Sequence, residues 1–216
     1  RNYTITVNTT ANIGKVTLSA GTLNVNYPLS ASGAFAISGG TMNVNNAITA
    51  NGSFTCSGGT ININSGNLTA NGDFTYSGGN ISITDGYKVI LKGNLIVNSD
   101  LTIDNHYDIS NVTGIQVANG KTLTINSDLE LNQSVTLSGN IAVTSGNALT
   151  INSSQVNFNN ASFDDSEGTI HINSDVTIRN LTKCVGGNLT FSQTHRVTYD
   201  ATCTYMLSGE HYNVSL

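Results

Sequence analysis

Residues 21–78 read as three aligned units: GTLNVNYPLSASGAFAISG (21–39), GTMNVNNAITANGSFTCSG (40–58) and GTININSGNLTANGDFTYSG (59–78). They are 19, 19 and 20 residues long and align almost without gaps. Self-similarity at a fixed period of this size marks a stacked repeat architecture, in which a unit buries its apolar face only against its neighbours. Within each unit three short segments alternate apolar and polar residues, and alternation marks a strand with one buried face. In the middle unit the predicted inward residues are Met42 with Val44, Ile48 alone, and Phe54 with Cys56. Asn51-Gly52 and Asn71-Gly72 form the corner between the second and third segments, and Gly39-Gly40, Gly58-Gly59 and Gly78-Gly79 close each coil. Glycine and asparagine tolerate the left-handed backbone that such corners need.

The register extends in both directions. First-segment pairs run from Ile5/Val7 and Leu23/Val25 through Ile81/Ile83 and Leu123/Ile125 to Ala161/Phe163. The third segment repeats from Val16/Leu18 to Val197/Tyr199, and steps stay between 18 and 22 residues. A second-segment series, including Val89/Leu91, Leu149/Ile151 and Leu189/Phe191, fits between them. Hairpin strands of an antiparallel sandwich have no reason to recur at one step, whereas stacked coils place each residue over its counterpart at the ~4.8 Å strand spacing. The pattern predicts an all-β, three-faced parallel β-helix (a β-solenoid) of about ten coils over 2–199, in a single domain spanning 1–216. Residues 200–216 leave the repeat and read as an irregular C-terminal cap or docking segment.

Composition narrows the function classes. Charged residues make up 10% of the 216-residue chain, the net charge is −5, tryptophan is absent and Pro28 is the single proline. Disorder usually accompanies few aliphatics and high net charge, and here Ile, Leu and Val are plentiful and regularly placed. The 8 basic residues are spread from Arg1 to Arg196, with no patch to track a phosphate backbone, so nucleic acid is not an expected partner. No apolar run approaches the length of a membrane span. The chain begins at Arg1 rather than Met, which suggests a processed product whose export signal has been removed and an extracellular or cell-surface location.

The GTLNVN, GTMNVN and GTININ units resemble the repeats of right-handed parallel β-helix adhesins of the filamentous haemagglutinin type, and those of β-helical subunits of microbial surface fibres. The resemblance covers Asn2 to about Tyr199 and is one of repeat style. It implies secretion, a surface location, a right-handed coil and a role in adhesion or scaffolding.

Several groups are candidates for chemistry. Two outward columns meet on one face: Thr22, Thr41, Thr60 and Thr122, beside Asn24, Asn43, Asn62 and Thr124. A flat, uncharged Thr/Asn array suits ice, a crystalline or cell-surface glycan, or a second copy of the chain; β-branched and small polar residues equally suit any exposed sheet. The corner column Asn8, Asn26, Asn45, Asn64, Thr84, Asp104 and Asn126 reads as a ladder of stacked side-chain amides that binds coil to coil. Cys184 and Cys203 are 19 residues apart, one coil, and in one column they would lie within disulfide range. Cys56, at an inward position, reads as a small buried hydrophobe. One bridge plus one buried thiol fits an oxidising compartment.

Asp164, Asp165 and Glu167, with His171 nearby, form the one dense acidic group. Polysaccharide-cleaving chemistry needs carboxylates converging on one groove, and this group lies at a corner with no companions in the aligned positions of the next coils. No catalytic, metal or cofactor set is therefore assigned. Asn-x-Ser/Thr triplets occur at Asn2, Asn8, Asn51, Asn67, Asn80, Asn111, Asn132, Asn152, Asn160, Asn180, Asn188 and Asn213, each a glycosylation acceptor by pattern.

The ends of a solenoid expose strand edges that invite stacking unless capped. RNYTITVN begins in strand register, placing Tyr3, Ile5 and Val7 at an open edge, and Tyr205, Leu207 and Tyr212 give the C-terminal segment an apolar, aromatic character. The expected function is a structural or adhesive subunit of a surface filament or stalk, its partners being copies of itself joined head to tail or surface glycans. The alternatives are a carbohydrate- or ice-binding face and, behind both, a polysaccharide-degrading enzyme.

Overall fold

The computed structural model describes residues 3–152, 155–164, 169–172, 175–179, 183–185, 188–191, 197–199 and 207–208. They form two compact units, Arg1–Asn98 with His106–Asp108, and Ser99–Asn105 with Ile109–Leu216. In both, every paired strand runs parallel to one a single repeat away, which is the defining pairing of a β-solenoid. No helix occurs among the described residues. About eight turns are described without interruption, against the ten expected; beyond Asn152 only separate strands are described.

In the first unit the first-segment column is Thr4–Val7, Thr22–Val25 and Thr41–Val44, continued by 60–63 and 80–83. The second-segment column is Ala11–Ile13, Leu29–Ala31, Ile48–Ala50, Leu68–Ala70, Val89–Leu91 and Tyr107–Asp108. The third is Val16–Leu18 and Phe35–Ile37, followed by 54–56, 74–76 and 95–97. Two strands, Phe54–Ile63 and Phe74–Ile83, run through the coil-closing corner without a break. Gly59 makes that bend with φ +74°, a left-handed geometry that side chains rarely adopt.

Parallel in-register stacking sets like on like. Phe35, Phe54 and Phe74 form a column with ring centroids 5.1 and 5.3 Å apart and interplanar angles of 20° and 6°. Such offset stacks add to the burial of the rings themselves. The predicted inward residues Met42, Val44, Ile48, Phe54 and Cys56 are fully buried, but Ile48 does not stand alone. Ala50 is also fully buried, as are Ala31 and Ala70 in the turns on either side. Alanine's small size hides its inward orientation in an apolar pattern, and the same column position is taken by the buried Leu91 one turn after Ala70. Tyr76, Ile81 and Ile83 depart from the pattern in the other direction and are only half-buried. The Tyr76 hydroxyl donates to the Gly79 carbonyl at 2.8 Å.

The second unit repeats the scheme. Leu101–Ile103, Thr122–Ile125 and residues 140–143 and 161–164 stack in one column, which continues through Lys183–Val185 to Leu207–Ser208. Leu129–Leu131, Ala148–Ile151, Thr169–Ile172 and Asn188–Phe191 form another. Gly114–Val117, 135–138, 155–159, Asp175–Arg179 and Val197–Tyr199 form the third. Its interior is aliphatic, with Leu123, Ile125, Leu131, Leu137, Ile141, Leu149 and Ile151 fully buried.

Carboxylates also join turns by accepting from backbone N–H groups of the next one. Asp73 Oδ1 accepts from the backbone N–H of Asn94 at 2.9 Å and from its side-chain amide at 3.0 Å. Asp100 accepts from Thr122 N–H at 2.9 Å, and Asp128 from Ala148 N–H at 2.8 Å, each one turn ahead. Charge-assisted bonds of this kind are stronger than neutral ones.

Candidate functional site

The Thr/Asn face of the first unit follows directly from strand alternation. Leu23 and Val25, Met42 and Val44, and Ile61 and Ile63 point into the core, so the residues between them point out. Register sets Thr22 beside Thr41 and Thr41 beside Thr60, with Asn24, Asn43 and Asn62 aligned next to them. The asparagines are half-buried and occupied with each other: Asn43 Nδ2 donates to Asn24 Oδ1 at 2.8 Å, and Asn62 Nδ2 donates to Asn43 Oδ1 at 2.9 Å. A second ladder lies at the corner, where Asn45 Nδ2 donates to Asn26 Oδ1 at 2.8 Å and Asn64 Nδ2 to Asn45 Oδ1 at 2.9 Å. These bonds fall on Asn26, Asn45 and Asn64 of the expected corner column; the same bonding along Asn24, Asn43 and Asn62 is not distinguishable in sequence from an outward ligand-binding column.

Asn43 both donates and accepts within its ladder. Asn43→Ala is therefore expected to lower stability by about 1–3 kcal/mol, because two half-buried amide groups lose their partners. A shift of the urea midpoint at unchanged slope checks this, and no shift would mean that the ladder adds nothing to the stack.

Thr122 and Thr124 belong to the second unit, so the eight residues of the expected face fall into two separate groups. Thr122 Oγ1 accepts from Asn140 Nδ2 at 2.8 Å, and Thr124 is aligned between Thr102 and Ala142.

The first turn differs from those that follow. Ile5 is aligned with Leu23 and Val7 with Val25, the positions that are core in later turns. Yet Ile5 is 61% exposed, and Tyr3 and Ile13 in the same turn are 65% and 38% exposed. Tyr27, in the next turn, is 49% exposed. Of the expected C-terminal residues, Leu207 lies in a short strand aligned with Cys184, while Tyr205 and Tyr212 lie outside the described residues.

The remaining candidates are dispersed. Cys184 is aligned with Phe163 on one side and Leu207 on the other, and Cys203 lies outside the described residues. Cys56 is a buried free thiol whose Sγ lies 3.2 Å from the Gly78 carbonyl oxygen. Burial pushes that thiol up from its ordinary value, which keeps it protonated and inert. Of the acidic group, Asp164 ends a strand and exposed His171 sits in the next one, while Asp165 and Glu167 lie outside the described residues. Among the described residues no group of three or more His, Cys, Asp or Glu is placed to hold a metal ion, and no helix is long and apolar enough to cross a membrane. His106 Nε2 lies 3.0 Å from Asp85 Oδ1 across one turn at the surface of the first unit, a hydrogen bond that becomes an ion pair when the imidazole is protonated.

The sequons at Asn8, Asn51, Asn67, Asn80, Asn111, Asn132 and Asn152 are exposed. Asn67 Oδ1 accepts from Lys88 N–H at 2.9 Å, and Asn111 Nδ2 donates to Ser110 Oγ at 3.0 Å. Asn51 is tied to Ser30 and Asn71, and Asn132 accepts from Asn152. Asn2, Asn180 and Asn213, and the side chains of Asn160 and Asn188, lie outside the described residues. No family model, curated protein or solved structure matches the chain.

Proposed function

We propose that this chain is a structural module of an extracellular filament or stalk whose copies join end to end. The supporting observation is the in-register parallel stack of near-identical turns, each of which buries its apolar column against the next. A turn of the same shape is the natural complement of any such turn, since stacking gains apolar area and pairs a row of backbone N–H and C=O groups. The outward Asn column supports a structural role too, since its amides are engaged in holding turn to turn. Adhesion to surface glycans belongs to the same reading, with the repeat serving as a spacer that displays other surfaces.

Sedimentation and electron microscopy of the purified chain test the proposal. Concentration-dependent, end-to-end assemblies are expected, and Ile5→Lys should abolish them while leaving the thermal midpoint of the isolated chain unchanged, because the edge residue adds little to the core when free. A chain that remains monomeric at high concentration would sink the stacking model.

A further inference from the structure

The chain contains three Asn-Gly pairs, Asn51-Gly52, Asn71-Gly72 and Asn119-Gly120, which are chemically alike and structurally unlike. An asparagine followed by glycine is prone to an intramolecular attack, because no side chain shields the glycine nitrogen. The attack requires the carboxamide to rotate toward that nitrogen and the backbone to pivot.

Two of the pairs are denied both freedoms. Asn71 Nδ2 donates to Asn51 Oδ1 at 2.8 Å, and Asn51 Nδ2 donates to Ser30 Oγ at 3.2 Å, so both carboxamides are held in a cross-turn ladder. Their glycines are pressed against backbone: a Cβ on Gly52 would stand 2.6 Å from the Gly33 carbonyl carbon, and one on Gly72 2.6 Å from the Gly52 carbonyl oxygen. The third pair is open. Asn119 is exposed at the tip of a turn closed by Lys121 N–H donating to the Ala118 carbonyl at 3.0 Å. Gly120 has φ +72° and no heavy atom within 4 Å of where a Cβ would stand.

We propose that Asn119 is the site at which this protein deamidates spontaneously, and that stacking protects Asn51 and Asn71. The Gly120 amide nitrogen, giving up its proton to hydroxide, bonds to Asn119 Cγ; the Cγ–Nδ2 bond breaks as the leaving nitrogen takes a proton from water, so that ammonia departs, hydroxide is restored and a succinimide remains. Water then opens the ring. Cleavage of the bond between the nitrogen and Cγ yields aspartate, and cleavage of the bond to the Asn119 backbone carbonyl carbon yields isoaspartate. Either product sets a carboxylate two residues from Lys121, and the second adds a methylene to the main chain within the turn.

Incubation of the full folded chain at mildly alkaline pH, followed by peptide mapping that separates asparagine, aspartate and isoaspartate, tests this. Asn119 is expected to convert at least about tenfold faster than Asn51 or Asn71, the latter requiring at least one ladder hydrogen bond to open first. In guanidinium the three rates should converge, which shows that the fold and not the dipeptide discriminates. Asn119→Gln should remove the fast phase, and Gly120→Ala, which meets no neighbouring atom but strains the left-handed backbone as Gly146→Ala would, should slow it. Conversion of Asn51 or Asn71 as fast as Asn119 in the folded chain would overturn the assignment, as would an Asn119 that persists as long as the ladder residues.

Discussion

Phe54→Ala is expected to lower the unfolding free energy by about 3–5 kcal/mol, the loss typical of a large aromatic removed from a packed core. Phe54 is fully buried, and its ring lies between those of Phe35 and Phe74 at 5.1 and 5.3 Å. Truncation removes two ring contacts at once and leaves a void between the outer pair. The void cannot close cheaply, because the backbones of the three turns are held at strand spacing by parallel pairing of Phe35 with Phe54 and of Phe54 with Phe74. Phe54→Leu fills much of that space and should cost below about 1.5 kcal/mol. In a stacked protein stability is a sum over neighbouring turns, so the loss falls on both interfaces of the third turn. Guanidinium unfolding and amide exchange of Phe54 through Cys56 would register it. A loss below about 1 kcal/mol would mean that the site collapses around the missing ring, contrary to rigid stacking.

The second large effect is at a coil-closing corner. Gly59 has φ +74°, and a Cβ there would lie 2.6 Å from the Gly40 carbonyl oxygen and 2.8 Å from the Gly39 carbonyl carbon. Both atoms are backbone, so no side chain can swing aside. Gly59→Ala must part the third and fourth turns and strain the neighbouring bond from Thr60 N–H to the Gly40 carbonyl, 2.9 Å long. Gly146 offers the control: its φ is +76°, with no heavy atom within 4 Å of a built Cβ. Gly146→Ala should therefore cost only the left-handed strain, about 1–2 kcal/mol. Gly59→Ala should cost about 2–5 kcal/mol, the same strain plus the disrupted contact and hydrogen bond. Comparable thermal midpoints for the two variants would show that the steric part is absent.

The two glycines illustrate what sequence reading reaches. Both follow apolar segments at corners, and both are legible as turn residues. Only the presence of Gly39 and Gly40 one turn earlier makes one of them irreplaceable. The same distinction applies to the asparagines. Asn43 and Asn45 are both outward in an alternating strand and its corner, and their ladder bonds depend on an amide standing at hydrogen-bonding distance in the next turn.

The repeat period by itself determined the fold class and most of the core, since alternation and a near-constant step are local properties written into GTLNVN, GTMNVN and GTININ. It placed Met42, Val44, Ile48, Phe54 and Cys56 inside, and they are inside. Tertiary structure alone decided the rest. Ala50 is core in line with Ala31 and Ala70, Ile5 is exposed although it occupies a core register, and Ile81 and Ile83 are half-buried despite the same alternation. It also separated Asn119-Gly120 from two identical dipeptides. The physical reason is common to all of these: a sequence pattern specifies which way a residue points, whereas burial, clash and hydrogen bonding require a neighbour from another turn.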